Sequence, residues 1–377
     1  MNRLIFGLVV AALFASAPSA CSSSKQPTSS SSATAAPTTA AGTGGGGGGG
    51  GGTGGNGGGG TGGGASSSSG TGIGSSTGGT GGTGGTGGAV ASGRGFPQSG
   101  PWVSFYGSGA SLDLAKLATS FRVLNIDADP DGANFTAAQI QTLRAGGTNR
   151  VISYMNVGAC EDYRSYWSVD PPGHKSCQSS GALTTLYGGY PNERWANLSN
   201  PAYHDLIVNY VAPRLAAMGV DGFFLDNLEV VEHGAGATEG PCDAACAQGG
   251  LDLVWELRQK LPDLLIVMQN GTSDVTRLGT THGVAYPSVL DGISHEEVYS
   301  NGGDPLTQAQ MQAWRAMKLM VNGRPFWLGA EDYVGACSAA KKPAALAIYA
   351  MAKADGLSEY VTDASAMQIG PCYWADL

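Results

Sequence analysis

The chain has 377 residues, 62 of them glycine, and a formal net charge of −9. Arg3, Lys25 and Arg94 are the only charged residues before Phe96, so the remainder carries 17 basic and 29 acidic residues, a formal net of −12. Such an acid excess argues against a nucleic-acid partner, whose phosphates are bound through Lys and Arg, and suits a cationic or neutral ligand.

Residues 1–20, "MNRLIFGLVVAALFASAPSA", have a basic start at Arg3, an apolar run and small residues before Cys21. That pattern predicts an export signal, too short to span a membrane. The small residues directly before Cys21 resemble a bacterial lipoprotein processing site, which implies that Cys21 is lipidated. The alternative is an ordinary secretory signal cut near Ala20. Residues 21–95 then form a tether of Ser, Thr, Ala and Gly, whose composition buries too little apolar surface to offset the entropy of ordering and predicts disorder. The protein is thus expected to be exported and either lipid-anchored, at the cell surface or in the periplasm, or secreted.

Residues 96–377 form the predicted domain, within the size range of one α/β barrel. Eight short apolar segments read as strands: "WVSFYGS", "RVLNIDAD", "RVISYMNVG", "GVDGFFLDN", "LLIVMQNG", "DGISHEEVY", "PFWLGAEDY" and "EYVTDA". Between them "SLDLAKLA", "TAAQIQTLRA", "PAYHDLIVNYVAPRLAAMG", "LDLVWELRQKL", "TQAQMQAWRAMKLM" and "KPAALAIYAMAKADG" show helical periodicity. The alternation predicts a (β/α)8 TIM barrel. An open doubly wound sheet is the alternative, but no phosphate-binding glycine loop follows the first strand.

Six cysteines fall in this domain, which favours disulfides in an exported protein; sequence cannot separate the fifteen pairings. Closeness within adjoining loops suggests Cys160 with Cys177, Cys242 with Cys246, and Cys337 with Cys372. The ligand-like spacing of "CDAAC" has no companion Cys or His pair, so no metal site is expected.

In a barrel of this kind the site lies where strands end and loops to the helices begin. Asp127 and Asp129, Tyr154 and Asn156, Asp226 and Asn227, Asn270, Glu296 and Glu297, Glu331 and Asp332, and Asp363 occupy those positions on seven of the eight strands. Gathering carboxylates at one mouth raises their pKa values and has no structural benefit, which points to chemistry. The aromatics Trp102, Phe105, Tyr106, Tyr154, Tyr163, Trp167, Tyr299, Trp327 and Tyr333 lie in the same segments. Rings for stacking beside acids and amides for hydroxyls suit a sugar.

The run "VISYMNVGACEDYRSYW", then "LSNPAYHDLI", "GVDGFFLDNLE", "QNG", "DGISHEEVYS", "AEDYV" and "AKADGLSEYVTD", resembles the endo-α-1,4-polygalactosaminidase family of glycoside hydrolases from Trp102 to Asp363. The resemblance implies a barrel enzyme that cuts galactosamine-rich polysaccharide within the chain and needs no cofactor. It places one catalytic carboxylate on Asp226. Its other falls on "HEEVY", where Asp291, Gly292 and Tyr299 put it on Glu296, and strand alternation turns Glu297 toward the surrounding helices. Glu296 is expected as acid and Asp226 as nucleophile or base. Asp127, Tyr154, Asn227, Asn270, Glu331 and Asp363, with Glu161, Asp162, Tyr163 and Arg164 of the "EDYR" loop, are expected to bind substrate. "HGAGATEGPCDAACAQGG" reads as an insertion that shapes a cleft wall. The expected partners are a polysaccharide, a cationic amino-sugar polymer in particular, and a membrane through the lipid, with the chain acting as a monomer. A non-catalytic polysaccharide-binding lipoprotein, or a barrel glycosidase on another glycan, stays open.

Overall fold

The computed structural model describes residues 95–97, 100–321, 323–363 and 368–376. The export segment, Cys21 and the glycine-rich stretch lie outside the described residues. Eight strands follow in chain order: β1 (Trp102–Phe105), β2 (Val123–Ile126), β3 (Arg150–Asn156), β4 (Gly222–Asp226), β5 (Leu265–Gln269), β6 (Gly292–Glu296), β7 (Trp327–Tyr333) and β8 (Ser358–Thr362). Each pairs in parallel with its sequence neighbour. At the seam, the Trp102 indole N–H donates to Ser358 O at 3.2 Å and Ala330 O at 3.1 Å, so the first strand lies against the last two. This is the (β/α)8 barrel that the alternation predicts, and the open sheet is excluded.

The strands are apolar runs because a parallel barrel buries both faces. Trp102 is completely buried and packs its ring edge-on against Trp327 and Tyr360, tilted against Phe224. Trp102, Phe105 and Trp327 are therefore core residues, so the stacking role expected of the aromatics as a group does not fall to these three.

Helices begin where the side-chain chemistry allows. Asp113 accepts from the Lys116 N–H at 2.9 Å, Thr136 and Gln139 form a reciprocal cap, and Asn200 and Asp304 each cap a helix that opens on proline. Between β5 and β6 the chain has a short helix, Asp274–Arg277, a small antiparallel hairpin of Thr280–Thr281 with Val284–Ala285, and a short turn at Tyr286–Val289.

Two buried acids pin the entry ends of the strands that carry the predicted catalytic pair. Before β4, Asp221 takes Arg144 at 2.7 Å and the Val151 N–H at 2.9 Å. Before β6, Asp291 takes Arg258, Arg324 at 2.9 Å and the Ile266 N–H at 3.0 Å. The Asp-Gly pairs opening both motifs thus fix strand register.

The largest departure from a plain barrel follows β3. Ala159–Glu161, Leu183–Tyr187 and Tyr190–Ala196 form a three-stranded antiparallel sheet. Disulfides join Cys160 to Cys177, Cys242 to Cys246 and Cys337 to Cys372, the pairings suggested by loop proximity. Gly158 starts the departure because a Cβ there would stand 1.7 Å from the carbonyl oxygen of Asn227. Only glycine lets the loop pass over the end of β4.

Candidate active site

At the C-terminal mouth lies a cavity of about 680 Å³, and beside it one of about 790 Å³; Tyr190 and Glu296 line both. The groove therefore extends to either side of Glu296. β4 delivers Asp226, half-buried at its last position, and β6 delivers Glu296 at its last position.

Glu296 is held from two sides. Asn270 donates its Nδ2 to Oε2 at 2.8 Å and accepts the Glu296 backbone N–H at 3.0 Å, while the Tyr333 hydroxyl donates to Oε1. Asn270 can do this because it sits at φ +63, a left-handed conformation that Asn tolerates. Burial, then the negative charge of Glu296, pushes the Asp226 carboxyl up to about 8. Glu331 is buried inside the barrel, level with Glu296 across the strand pair, and is pushed well up by burial and by the Glu296 and Asp226 charges. Mutual repulsion among these acids is present, but desolvation is the larger cause.

The "EDYR" loop is organised internally. Glu161 accepts from Tyr154 at 3.0 Å, Tyr163 at 2.5 Å and Arg164 Nε at 2.6 Å. Arg164 also reaches both oxygens of Asp127 at 3.3 Å. Asp127, Tyr154, Glu161, Tyr163, Arg164, Asn227 and Asn270 all line the cleft.

Other predicted residues fall elsewhere. Asp162 is exposed and outside the lining, its N–H tied to Asn192 O, because the loop turns it outward. Asp363 follows the end of β8, half-buried, and is not among the lining residues. Asp129 pairs with Arg164 and Arg214, and Asp332 accepts the backbone N–H groups of Tyr299 and Ser300; both are structural. Glu297 does not turn into the helical layer. The strand ends at Glu296, Glu297 adopts φ +55, and its side chain is exposed beside the second cavity.

Sequence reading missed Tyr187, Tyr190 and Glu193, which the three-stranded sheet brings to the cleft. The signal is "LTTLYGGYPNERWA", two strand-like runs about a Gly-Gly turn, a hairpin pattern. Glu193 is half-buried, accepts from Asn156 at 3.0 Å and Asn227 at 3.4 Å, and is raised to about 7, chiefly by burial and then by the Glu161 charge. The segment 233–250 does not line the cleft. It braces the hairpin from behind, where Glu239 accepts the Gly188 N–H at 2.8 Å and Gly240 donates to Thr185 at 2.9 Å.

These raised carboxyls set a stability profile. Asp226, Glu193, Glu229 and Glu331 each bind a proton more tightly folded than unfolded. Their contribution is complete below the ordinary carboxylate range and is lost as pH rises, through about 7 for Glu193 and about 8 for Asp226, with Glu229 and Glu331 acting in the same direction. Asp131, Asp170, Asp205 and Asp304 are shifted down, so their effect lies below pH 4. Thermal unfolding followed by circular dichroism is expected to give a Tm several degrees higher at pH 5 than at pH 9. The slope should be shallower in Asp226→Asn, and a Tm that rises over this range would contradict the assignment.

A (β/α)8 barrel that presents carboxylates from separate strand ends, with tyrosine faces, to one open groove is built as glycoside hydrolases are. Residues 99–283 match the model of glycoside-hydrolase family GH114. The chain is 26% identical over 272 residues to a protein of Deinococcus radiodurans, covering 70% of this chain and 80% of that one. A Thermotoga maritima protein is 24% identical over 265 residues, covering 66% and 77%. Among solved structures, the glycoside hydrolase domain of PelA from Pseudomonas aeruginosa is similar in fold, with TM-score 0.52 and 16% identity over 72% of this chain and 96% of that one. Ega3 of Aspergillus fumigatus, in complex with galactosamine, gives TM-score 0.50 and 15% identity over 74% and 98%.

Proposed function

We propose that the barrel is an endo-acting glycoside hydrolase that cleaves galactosamine-rich polysaccharide with Asp226 and Glu296. The observation that carries this reading is the placement of the two carboxylates, from β4 and β6, in a single groove that continues past Glu296. A groove open on both sides accepts the interior of a polymer. The match to the GH114 family model supports hydrolysis of a glycosidic bond, and the galactosamine in the Ega3 complex supports the sugar. The formal charge of −12 from Phe96 onward favours a cationic chain.

The reaction needs one proton on the pair. Burial raises the Asp226 carboxyl and favours a proton there. Glu296 donates a proton to the leaving oxygen while Asp226 attacks the anomeric carbon or activates water. Asn270 and Tyr333 orient Glu296 for that transfer.

Incubating the purified chain with deacetylated and acetylated galactosamine polymers, chitosan and neutral glycans, with mass analysis of products, tests the reading. Galactosamine oligomers of mixed length are the expected products. Cleavage of another glycan alone would make this a different barrel glycosidase, and binding without cleavage would make it a lectin.

We further propose that lipid on Cys21 attaches the enzyme to a membrane, with secretion as the alternative. Cys21→Ser is expected to move the protein from the membrane fraction to the soluble one. Unchanged fractionation would remove the anchor.

A further inference from the structure

On the Asp226 side of the groove the anionic charges are unequal in availability. Arg164, the one cation among the residues lining that cavity, is shared by Glu161 at 2.6 Å and Asp127 at 3.3 Å. Glu193 feels the Arg164 charge, but among the described residues no cation forms an ion pair with it. Its two protein partners are the neutral amides of Asn156 and Asn227, both on Oε2, and Oε1 receives no donor from the described residues. That oxygen is not among the buried, unpartnered atoms, so it faces the groove and is open to a donor that a ligand brings.

The location is equally particular. Asn227 directly follows Asp226, so Glu193 is one hydrogen bond from the residue next to the reacting carboxylate. An amino sugar carries its nitrogen on the carbon adjacent to the anomeric centre. Its ammonium therefore needs an anion close to Asp226 but not Asp226 itself, since an ion pair there would tie up the oxygen that must attack. Tyr187 and Tyr190, from the same hairpin as Glu193, supply ring faces for the sugar.

We infer that Glu193 is the specificity residue of this cleft, binding the free 2-ammonium group of a galactosamine unit and so selecting deacetylated over N-acetylated sugar. This rests on the hydrolase reading above and extends it to the chemistry of one substituent. An N-acetyl group offers no cation to Glu193 and leaves its charge facing those of Asp226 and Glu296.

Calorimetric titration of the full chain, parent and Glu193→Gln, with a galactosamine oligosaccharide and its N-acetylated counterpart tests it. The parent is expected to prefer the deacetylated ligand. Glu193→Gln should weaken that ligand by about 10- to 100-fold, the scale of a charge-assisted hydrogen bond, and erase the preference. Glu193→Asp, which keeps the charge, should recover part of it. Equal galactosamine affinity in parent and Glu193→Gln, at matched Tm, would overturn the assignment even if the parent cleaves galactosamine polymer, in which case the hydrolase reading stands. A parent that binds neither ligand and cleaves only another glycan would overturn both.

Discussion

Asp226→Asn and Glu296→Gln are each expected to reduce turnover of the cleaved polymer at least roughly 100-fold, with the barrel still folded. The two differ in their side effects. Asp226 sits half-buried with its carboxyl pushed up to about 8, so the amide removes a charge that burial disfavours, and Tm at pH 8 should hold or rise. Glu296 anchors Asn270 and Tyr333, and Gln cannot accept from both in the same way, so a small loss of stability should accompany the loss of activity. Glu297→Gln, at an exposed turn beyond the strand, should leave turnover within a few-fold of the parent. Single-turnover hydrolysis at matched fractions folded makes the comparison. Near-normal cleavage by Asp226→Asn would remove the central assignment, and an inactive Glu297→Gln beside an active Glu296→Gln would exchange the two glutamates.

The second large effect is on the fold. Asp291→Ala should destabilise the barrel by about 3–5 kcal/mol, because it strands the buried Arg258 guanidinium and leaves the Ile266 N–H without its acceptor. At this size that corresponds to a Tm loss of roughly 10 °C. Asp291→Asn keeps an acceptor for the N–H group and should lose less. Thermal and urea unfolding measure both variants, and an Asp291→Ala protein as stable as the parent would show that register at β6 is set elsewhere.

The barrel was legible because parallel strands buried on both faces read as short apolar runs, and because segments of helical period alternate with them. Asp226 and Glu296 were legible as acids where apolar runs stop, given the family resemblance. Three things were not. Alternation was extended one residue too far at Glu297, since nothing in "HEEVY" announces the left-handed turn that ends the strand. Trp102, Phe105 and Trp327 share their segments with cleft tyrosines, and only the barrel's curvature separates inside from mouth. Glu193 lay in a polar stretch of no helical period, and its importance arises from a pairing, Glu193 opposite Glu161, that exists only once the chain folds back.

That fold-back has a wider consequence. Its two ends meet, with the Ala196 N–H donating to Gly158 O at 2.8 Å, and the Cys160–Cys177 bond holds its first strand to the helix at Cys177–Ser180. Barrel closure passes beneath it, through the pairing of β3 with β4. The segment from Gly158 to Ala196 is thus an exchangeable cassette. A lineage, or a protein engineer, could graft another hairpin onto the same two anchor points and retune which glycan enters while inheriting the hydrolytic machinery unchanged.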